Sequence, residues 1–250
     1  MLTVDMDLPP GALLAPGGGD AAHMAAELGI VWFTAQTPEC RVSDGRVKAI
    51  EAVGGGVVAQ PVDGNAGNCR HMAANGSAYL SMTDRVACGF SADIGSVSDV
   101  LSFAVIFAAP NGPARTLAAV SAEGSRDYIA LTQDAHDLTL ARRNGAEIAI
   151  TCPPSDRPAL ALARIDAEGL ALAMADGPPV RVDDPAALPM GRVTGFIGCR
   201  RQRAGLYKTL GAGHFYDVAF MPGLNAFSPA LDTLCSAMTT RVQEIGAHAV

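Results

Sequence analysis

The residues with the clearest chemical potential are the basic ones that follow position 199. Arg200, Arg201 and Arg203 precede Tyr207 and Lys208 in a segment bounded by glycines. Guanidinium groups bind carboxylates and phosphates through paired hydrogen bonds. The chain as a whole is acidic, with a formal net charge of −7. The cluster therefore predicts a site for an acidic ligand, and the alternatives are a solvated hairpin tip or a contact between subunits.

Three smaller groups of polar and aromatic side chains are further candidates for ligand contact, because such side chains bind through stacking and hydrogen bonds. Each group also has an ordinary structural interpretation. The candidate residues are Arg70 and His71, Tyr128 in the run 126–128, and His214 with Tyr216.

Metal and thiol chemistry find little support in the spacing. The five histidines are dispersed, and the six cysteines include no C-x-x-C pair. We predict no cofactor, and calcium, held by Asp63, Asn65 and Asn68 in one loop, is the alternative. The cysteines are expected to be reduced and mostly buried. They are Cys40, Cys69, Cys88, Cys152, Cys199 and Cys235.

The elements that must position these side chains are short strands. From Ile30 onward, apolar runs are broken by turn residues at intervals of about 8–12 positions, which is typical of all-β folds. The run 101–107 is apolar on both faces and predicts a central strand. Trp32 lies on an apolar strand and is expected in the core. The pattern predicts roughly a dozen strands in two packed sheets.

The two ends of the chain differ from this middle part. Residues 1–28 are expected to be an N-terminal arm with a short helix, 29–227 a β-sandwich, and 228–250 a C-terminal helix packed on it. Ser228 is the expected N-cap, followed by a proline at the first helical position. A self-associating seam is the alternative to packing. The apolar stripe consists of Leu231, Cys235, Met238, Val242 and Ile245.

Charge and hydropathy exclude several classes of partner. The acidic balance argues against nucleic acid and anionic membranes, which require a dominant basic field. Mean hydropathy is +0.23, but no apolar run is long enough to cross a bilayer. The first seven residues carry acids where a signal peptide carries Lys or Arg. We therefore predict no signal peptide, no nucleic acid and no membrane partner.

The order of several segments carries a resemblance to a known family. They are VWFTA at 31–35, SDGRV at 43–47, AYL at 78–80, SFAVIF at 102–107, VTGFIG at 193–198 and GHFYDVAF at 213–220, followed by the step into the last helix at 224–231. Together they resemble concanavalin A-like (laminin-G-like) jelly-roll domains of the bacterial and phage type. The resemblance implies an all-β, two-sheet antiparallel jelly-roll sandwich. One departure is that His214 and Tyr216 precede Asp217, which shifts the usual acidic residue of the last strand.

The family includes glycoside hydrolases, whose chemistry needs a pair of carboxylates. No two glutamates of this chain lie within five residues of each other. Asp183 and Asp184 are adjacent, so on a strand their side chains would point to opposite faces. No nucleophile elbow, zinc-protease helix or Walker loop occurs. We therefore predict no catalytic residues and a protein that is not an enzyme.

The resemblance implies a carbohydrate-binding function. We expect a structural subunit of a spike or fibre on a phage or phage-like particle, which is assembled in the cytoplasm and attaches to cell-surface or capsular polysaccharide. The N-terminal arm is expected to contact other particle proteins, and the chain to form a homo-oligomer. Two alternatives remain: a jelly roll that contacts only protein neighbours, and a polysaccharide-degrading glycoside hydrolase-like enzyme.

Overall fold

The computed structural model describes residues 18–74, 76–175, 177–185, 190–202 and 207–247, with side chains from residue 23 onward except that of residue 207. The expected arm therefore falls largely outside the described residues, and its docking role stays a prediction. No helix in the described ranges is long and apolar enough to cross a bilayer.

The described chain forms seventeen strands and two α-helices. The helices are α1 (Gly18–Glu27) and α2 (Asp232–Ala247), with 3-10 turns at Tyr207–Thr209 and Pro229–Leu231. The strands are β1 (Val31–Thr34), β2 (Cys40–Ser43), β3 (Arg46–Glu51), β4 (Val58–Pro61), β5 (Arg70–Ala74), β6 (Ser77–Met82), β7 (Phe90–Val97), β8 (Val100–Ala108), β9 (Arg115–Ala122), β10 (Ile129–Gln133), β11 (Asp137–Arg142), β12 (Glu147–Thr151), β13 (Ala159–Asp166), β14 (Gly169–Met174), β15 (Val180–Asp183), β16 (Gly191–Ile197) and β17 (Gly213–Pro222).

The strands make two antiparallel sheets packed face to face. Sheet I has the order β15-β14-β13-β8-β17-β6-β5-β3-β2, with β1 also paired to β17. Sheet II has the order β4-β7-β16-β9-β10-β11-β12. Strand β4 also pairs with β3 and so joins the sheets at one edge. The predicted all-β, two-sheet antiparallel sandwich is confirmed.

The core lies between the sheets and follows from the alternation of side chains along each strand. Strand β8 lies between β13 and β17, and its residues 101–108 are buried on both faces of the sheet. The predicted central strand is therefore confirmed. Burying aromatic side chains gives the largest hydrophobic contribution per residue. The fully buried phenylalanines are Phe33, Phe90, Phe103, Phe107, Phe215 and Phe220.

Helix α2 covers the outer face of sheet I. Its predicted apolar stripe packs there, with Leu231, Met238 and Ile245 buried and Leu234 added to the set. Ser228 occupies the N-cap position but makes no side-chain cap hydrogen bond. Trp32 is buried under this layer, as predicted.

One buried carboxylate links the helix to the sheet. Asp217 of β17 is 1% exposed and accepts a hydrogen bond from Trp32 Nε1 at 3.2 Å. Its other oxygen lies 2.9 Å from Nε of Arg241 on α2. Because a carboxylate out of water needs charged or hydrogen-bonding partners, Asp217 and Arg241 form an electrostatic anchor for α2.

All six cysteines are unpaired, and four of them are buried, in agreement with the prediction. Burial raises the pKa of Cys40 and of Cys199 to about 12. It also raises the pKa of Cys152 and Cys235, which are only partly buried. Since the thiolate is the reactive form, these side chains act as small apolar core residues.

Candidate functional site: a cationic groove on sheet II

The outer face of sheet II carries an open groove of about 640 Å³. Its floor comes from the paired strands β9 and β16, whose alternate residues point away from the core. Thr194 and Phe196 of β16 lie beside Ser121 of β9. Phe196 is almost fully buried, so the floor is rigid and partly apolar.

One wall of the groove comes from the segment after β16, through its residues 200–202, 208 and 209. Gln202 fixes one end of this segment, because its side-chain oxygen accepts from Ser91 Oγ at 2.6 Å and its carbonyl accepts from Asp63 N at 2.8 Å. The other end is held where Thr116 Oγ1 donates to the Thr209 carbonyl at 2.9 Å. The wall is therefore tied to the sheet on both sides.

The opposite wall is the turn between β9 and β10. Ser121 Oγ donates to the Asp127 carbonyl at 2.7 Å, and Ser125 Oγ accepts from Asp127 N at 2.9 Å. Glu123 and Gly124 line the groove from this turn. These two hydrogen bonds fix the conformation of the short polar turn beside the floor.

Two arginines of the first wall converge on Tyr128. Arg200 Nε donates to Thr116 Oγ1 at 3.1 Å, and Arg200 Nη1 donates to Tyr128 Oη at 3.4 Å. The guanidinium carbons of Arg200 and Arg201 lie 5.9 and 5.1 Å from the centroid of the Tyr128 ring. Cations over an aromatic face are attracted by its quadrupole, so the ring holds both groups at the groove.

The groove is cationic although the chain is acidic. Among the described residues, its charged lining consists of the cations Arg143, Arg200, Arg201 and Lys208 and one acid, Glu123. None of these four cations forms an ion pair with any residue that the structure describes. The arginines are hydrogen-bonded to neutral groups such as Thr116 and Tyr128, so the groove keeps a positive charge.

The structure brings together part of the predicted basic cluster and one residue from another segment. Arg200, Arg201 and Lys208 share the groove with Tyr128. Arg203 lies outside the described residues. Tyr207 begins a 3-10 turn, and its side chain is not among those described. The hairpin tip considered as an alternative falls on residues 203–206, which lie outside the described part of the chain.

The remaining predicted site residues lie on sheet I and do not line this groove. Arg70 is exposed on β5, and Nε2 of His71 is hydrogen-bonded to the Ala35 carbonyl at 2.9 Å. His214 stacks on Tyr79 with ring centroids 4.1 Å apart, and burial lowers its pKa. Tyr216 is 8% exposed and packs in the layer beneath α2, so its expected ligand contact is replaced by a core position.

Several groove residues gave no sequence signal. Arg143 stands beside the Asn144-Gly145 turn, which predicts a hairpin but no site. Thr116 and Phe196 belong to strands and are buried. The pairing of β9 with β16 and β10, and of β10 with β11, places these residues beside Arg200.

The loop proposed for calcium uses its amides to hold its own shape. Asn65 Nδ2 donates to the Gly89 carbonyl at 3.0 Å, and Asn65 Oδ1 accepts from Asn68 N at 3.0 Å. Asn68 Nδ2 donates to the carbonyls of Gly64 and Ala87. Within the described residues, no group of three or more His, Cys, Asp or Glu side chains could hold a metal ion.

Comparison with known proteins gives similarity in structure alone. No family model matches the chain, and no curated protein matches it in sequence. The Trypanosoma rangeli sialidase complexed with 2,3-difluorosialic acid is 12% identical, with a TM-score of 0.56 over 84% of this chain. The same sialidase with sialic acid is 15% identical, also with a TM-score of 0.56. This chain spans about a third of the sialidase, covering 33% of its length.

A second kind of solved structure has the same fold. Botulinum neurotoxin type C, whose cell entry is described as dependent on interaction with two ganglioside molecules, is 8% identical. The TM-score is 0.51, with 86% of this chain and 53% of the toxin chain covered. At such identities the likeness defines a shared β-sandwich fold.

These neighbours overturn the prediction that the chain is not an enzyme. That prediction relied on missing motifs and on carboxylates far apart in sequence, yet this fold makes up about a third of the sialidase chains. Separation along the chain does not limit which residues the sheets bring together. Missing local motifs were therefore insufficient grounds for excluding catalysis.

Proposed function

We propose that the chain is a carbohydrate-binding protein and that the sheet II groove holds a cell-surface polysaccharide. The observation that carries this proposal is the groove itself, with a partly apolar floor, hydrogen-bonding walls and a tyrosine beside two guanidiniums. Sugar-binding sites combine an apolar surface with a few placed polar groups. The sialidase and neurotoxin structures with the same fold support the choice of ligand class.

We further propose that the chain acts as an oligomeric spike or fibre component of a phage or phage-like particle and is displayed after assembly in the cytoplasm. The support is the likeness of the sequence to jelly-roll domains of the bacterial and phage type. The Pro- and Gly-rich first nineteen residues suit docking to a partner subunit. Imaging of assembled particles with an antibody to this chain tests the assignment.

Filling the groove is expected to abolish polysaccharide binding. Thr194→Trp places a large ring on the floor between the two walls. It should weaken the binding of the best glycan-array ligand more than about 10-fold, which corresponds to about 1.4 kcal/mol. Thr139→Trp is the matched control, because Thr139 is equally half-buried in sheet II but does not line the groove. Titration calorimetry measures both affinities, and equal loss in both variants would contradict the proposal.

A glycoside hydrolase-like enzyme is the second candidate, favoured by the exposed Glu123 carboxylate in the groove. If this side chain acts as a general acid or base, Glu123→Gln should slow release of reducing ends from the bound polysaccharide by roughly 10²–10⁴-fold. Binding should remain, since the amide keeps the size of the side chain. Release that is absent from wild type, or unchanged in the variant, would remove this candidate.

A further inference from the structure

Three guanidinium groups line the groove, and none of them has a carboxylate partner in the part of the chain that the structure describes. Arg143 Nη1 and Arg201 Nη2 both donate to the same backbone oxygen, the carbonyl of Arg126, the first of them at 2.9 Å. Arg201 and Arg200 then share the ring of Tyr128. The carbonyl and the ring thus join three cations from two separate segments of the chain.

Such a group is electrostatically unfavourable on its own. Arg143 and Arg201 are like charges on one carbonyl oxygen and therefore repel, and a neutral carbonyl or an aromatic ring compensates only part of that repulsion. Two described acids lie on the turn between β9 and β10: Glu123 is exposed, and the carboxylate of Asp127 lies 3.9 Å from Arg142 on the neighbouring strand. An anion bound by the guanidiniums would offset this repulsion.

Within this group, the side chain of Arg200 is held in place by the hydroxyl of Thr116 before any ligand binds. Thr116 is 1% exposed, and its hydroxyl accepts from Arg200 Nε while donating to the Thr209 carbonyl. A buried hydroxyl with both roles filled holds the guanidinium in one orientation. Side chains held in place before binding lose less entropy when the ligand arrives.

We propose that Arg143, Arg200 and Arg201 form a subsite for the carboxylate or sulfate of an acidic glycan, and that Thr116 is a positioning residue for Arg200. This inference rests on the proposed carbohydrate-binding function and names its ligand class. Guanidinium groups bind such anions through paired, charge-assisted hydrogen bonds. A glycan with acidic groups on its sugars therefore binds the groove more tightly than a neutral polymer of the same backbone.

Dextran, carboxymethyl dextran and dextran sulfate share one backbone and differ in charge, so they test this directly. The wild-type protein should bind carboxymethyl dextran or dextran sulfate at least 10-fold more tightly than dextran. The charged polymer that binds more tightly shows whether the subsite prefers a carboxylate or a sulfate. The difference should shrink as NaCl rises from about 0.05 M to about 1 M, because salt screens exposed charges. Equal affinity for all three polymers would overturn the proposal.

The variant Arg143→Ala/Arg201→Ala should reduce this preference for the charged polymers at least 10-fold. The matched control is Arg41→Ala, because Arg41 is exposed on sheet I outside the groove. This control should leave the preference for charged polymers unchanged. Thr116→Val should lower the charged-to-neutral affinity ratio several-fold, and Thr116→Ser should restore it. An unchanged ratio in the double variant, or tighter binding of a single-stranded oligonucleotide than of either charged polymer, would overturn the proposal.

Failure of this inference is distinguishable from failure of the proposed function. If Thr194→Trp abolishes binding of a glycan-array ligand while the arginine variants retain it, the groove binds carbohydrate and the anionic subsite is wrong. If neither the array nor the dextrans give binding that Thr194→Trp removes, the carbohydrate-binding function fails, and the subsite fails with it.

Discussion

Arg241→Ala is expected to lower the free energy of unfolding by about 3 kcal/mol, because it leaves the carboxylate of Asp217 buried without its cation. At 2–4 °C per kcal/mol for a chain of this length, Tm should fall by about 6–12 °C. The hydrogen bond from Trp32 Nε1 remains but cannot neutralise the charge. Thermal denaturation followed by circular dichroism and urea titration measure both quantities.

Two variants separate this effect from simple loss of an arginine. Arg41 forms an exposed ion pair with Glu51 at 2.7 Å, and Arg41→Ala should cost less than about 1 kcal/mol. Adding Asp217→Asn to Arg241→Ala removes the unpaired charge, so the double variant should regain part of the loss. Equal destabilisation by the two alanine substitutions would show that Asp217 does not depend on Arg241.

Gly169→Ala is expected to destabilise the fold by about 3 kcal/mol or more. Gly169 has φ +148°, and a Cβ there would lie 2.1 Å from the Val182 carbonyl oxygen and 2.6 Å from the Asp184 nitrogen. Both are backbone atoms of the edge strand β15 and the residue after it, and they cannot rotate away. Backbone strain of about 1–3 kcal/mol adds to a similar cost of overpacking.

Gly169→Ala should also weaken a contact between the two sheets. Asp184 accepts from Arg142 Nε at 2.8 Å and from Ala146 N at 3.1 Å, which connects the segment after β15 to sheet II. Displacing β15 would pull this carboxylate away. Gly45→Ala is the control, because Gly45 has φ +69° with open space around its Cβ position and should lose only about 1–2 kcal/mol. Urea unfolding midpoints that match for the two variants would contradict the expected clash.

Much of the architecture could be predicted from the sequence because the signals are local. Side chains of an extended strand alternate between faces, so an apolar run such as that of β8 identifies a strand buried on both sides. The apolar stripe of α2 could be predicted from a similar local pattern, because residues three and four apart share one face of a helix. Ser228 is the N-cap of the 3-10 turn that leads into α2, and a proline follows it as predicted, although its hydroxyl makes no cap hydrogen bond.

The candidate site was only half predictable. Arg200 and Arg201 stood out as adjacent cations in an acidic chain, and both line the groove. Arg143 and Thr116 are ordinary residues of a hairpin and a strand, and each becomes part of the site through pairing with distant segments. Tyr216 shows the opposite error, because its aromatic character suggested a ligand contact while its strand position buries it under α2.

The sequence by itself determined the fold class, the acidic charge, the apolar faces of the strands and last helix, and the location of one cluster of arginines. All of these depend on composition or on residues close together in the chain. Only the tertiary structure decided which face carries the groove, that Tyr128 and Arg143 join Arg200 and Arg201 there, and that Asp217 holds the helix. These depend on strand pairing between segments far apart, which is set by the packing of the whole core rather than by any local pattern.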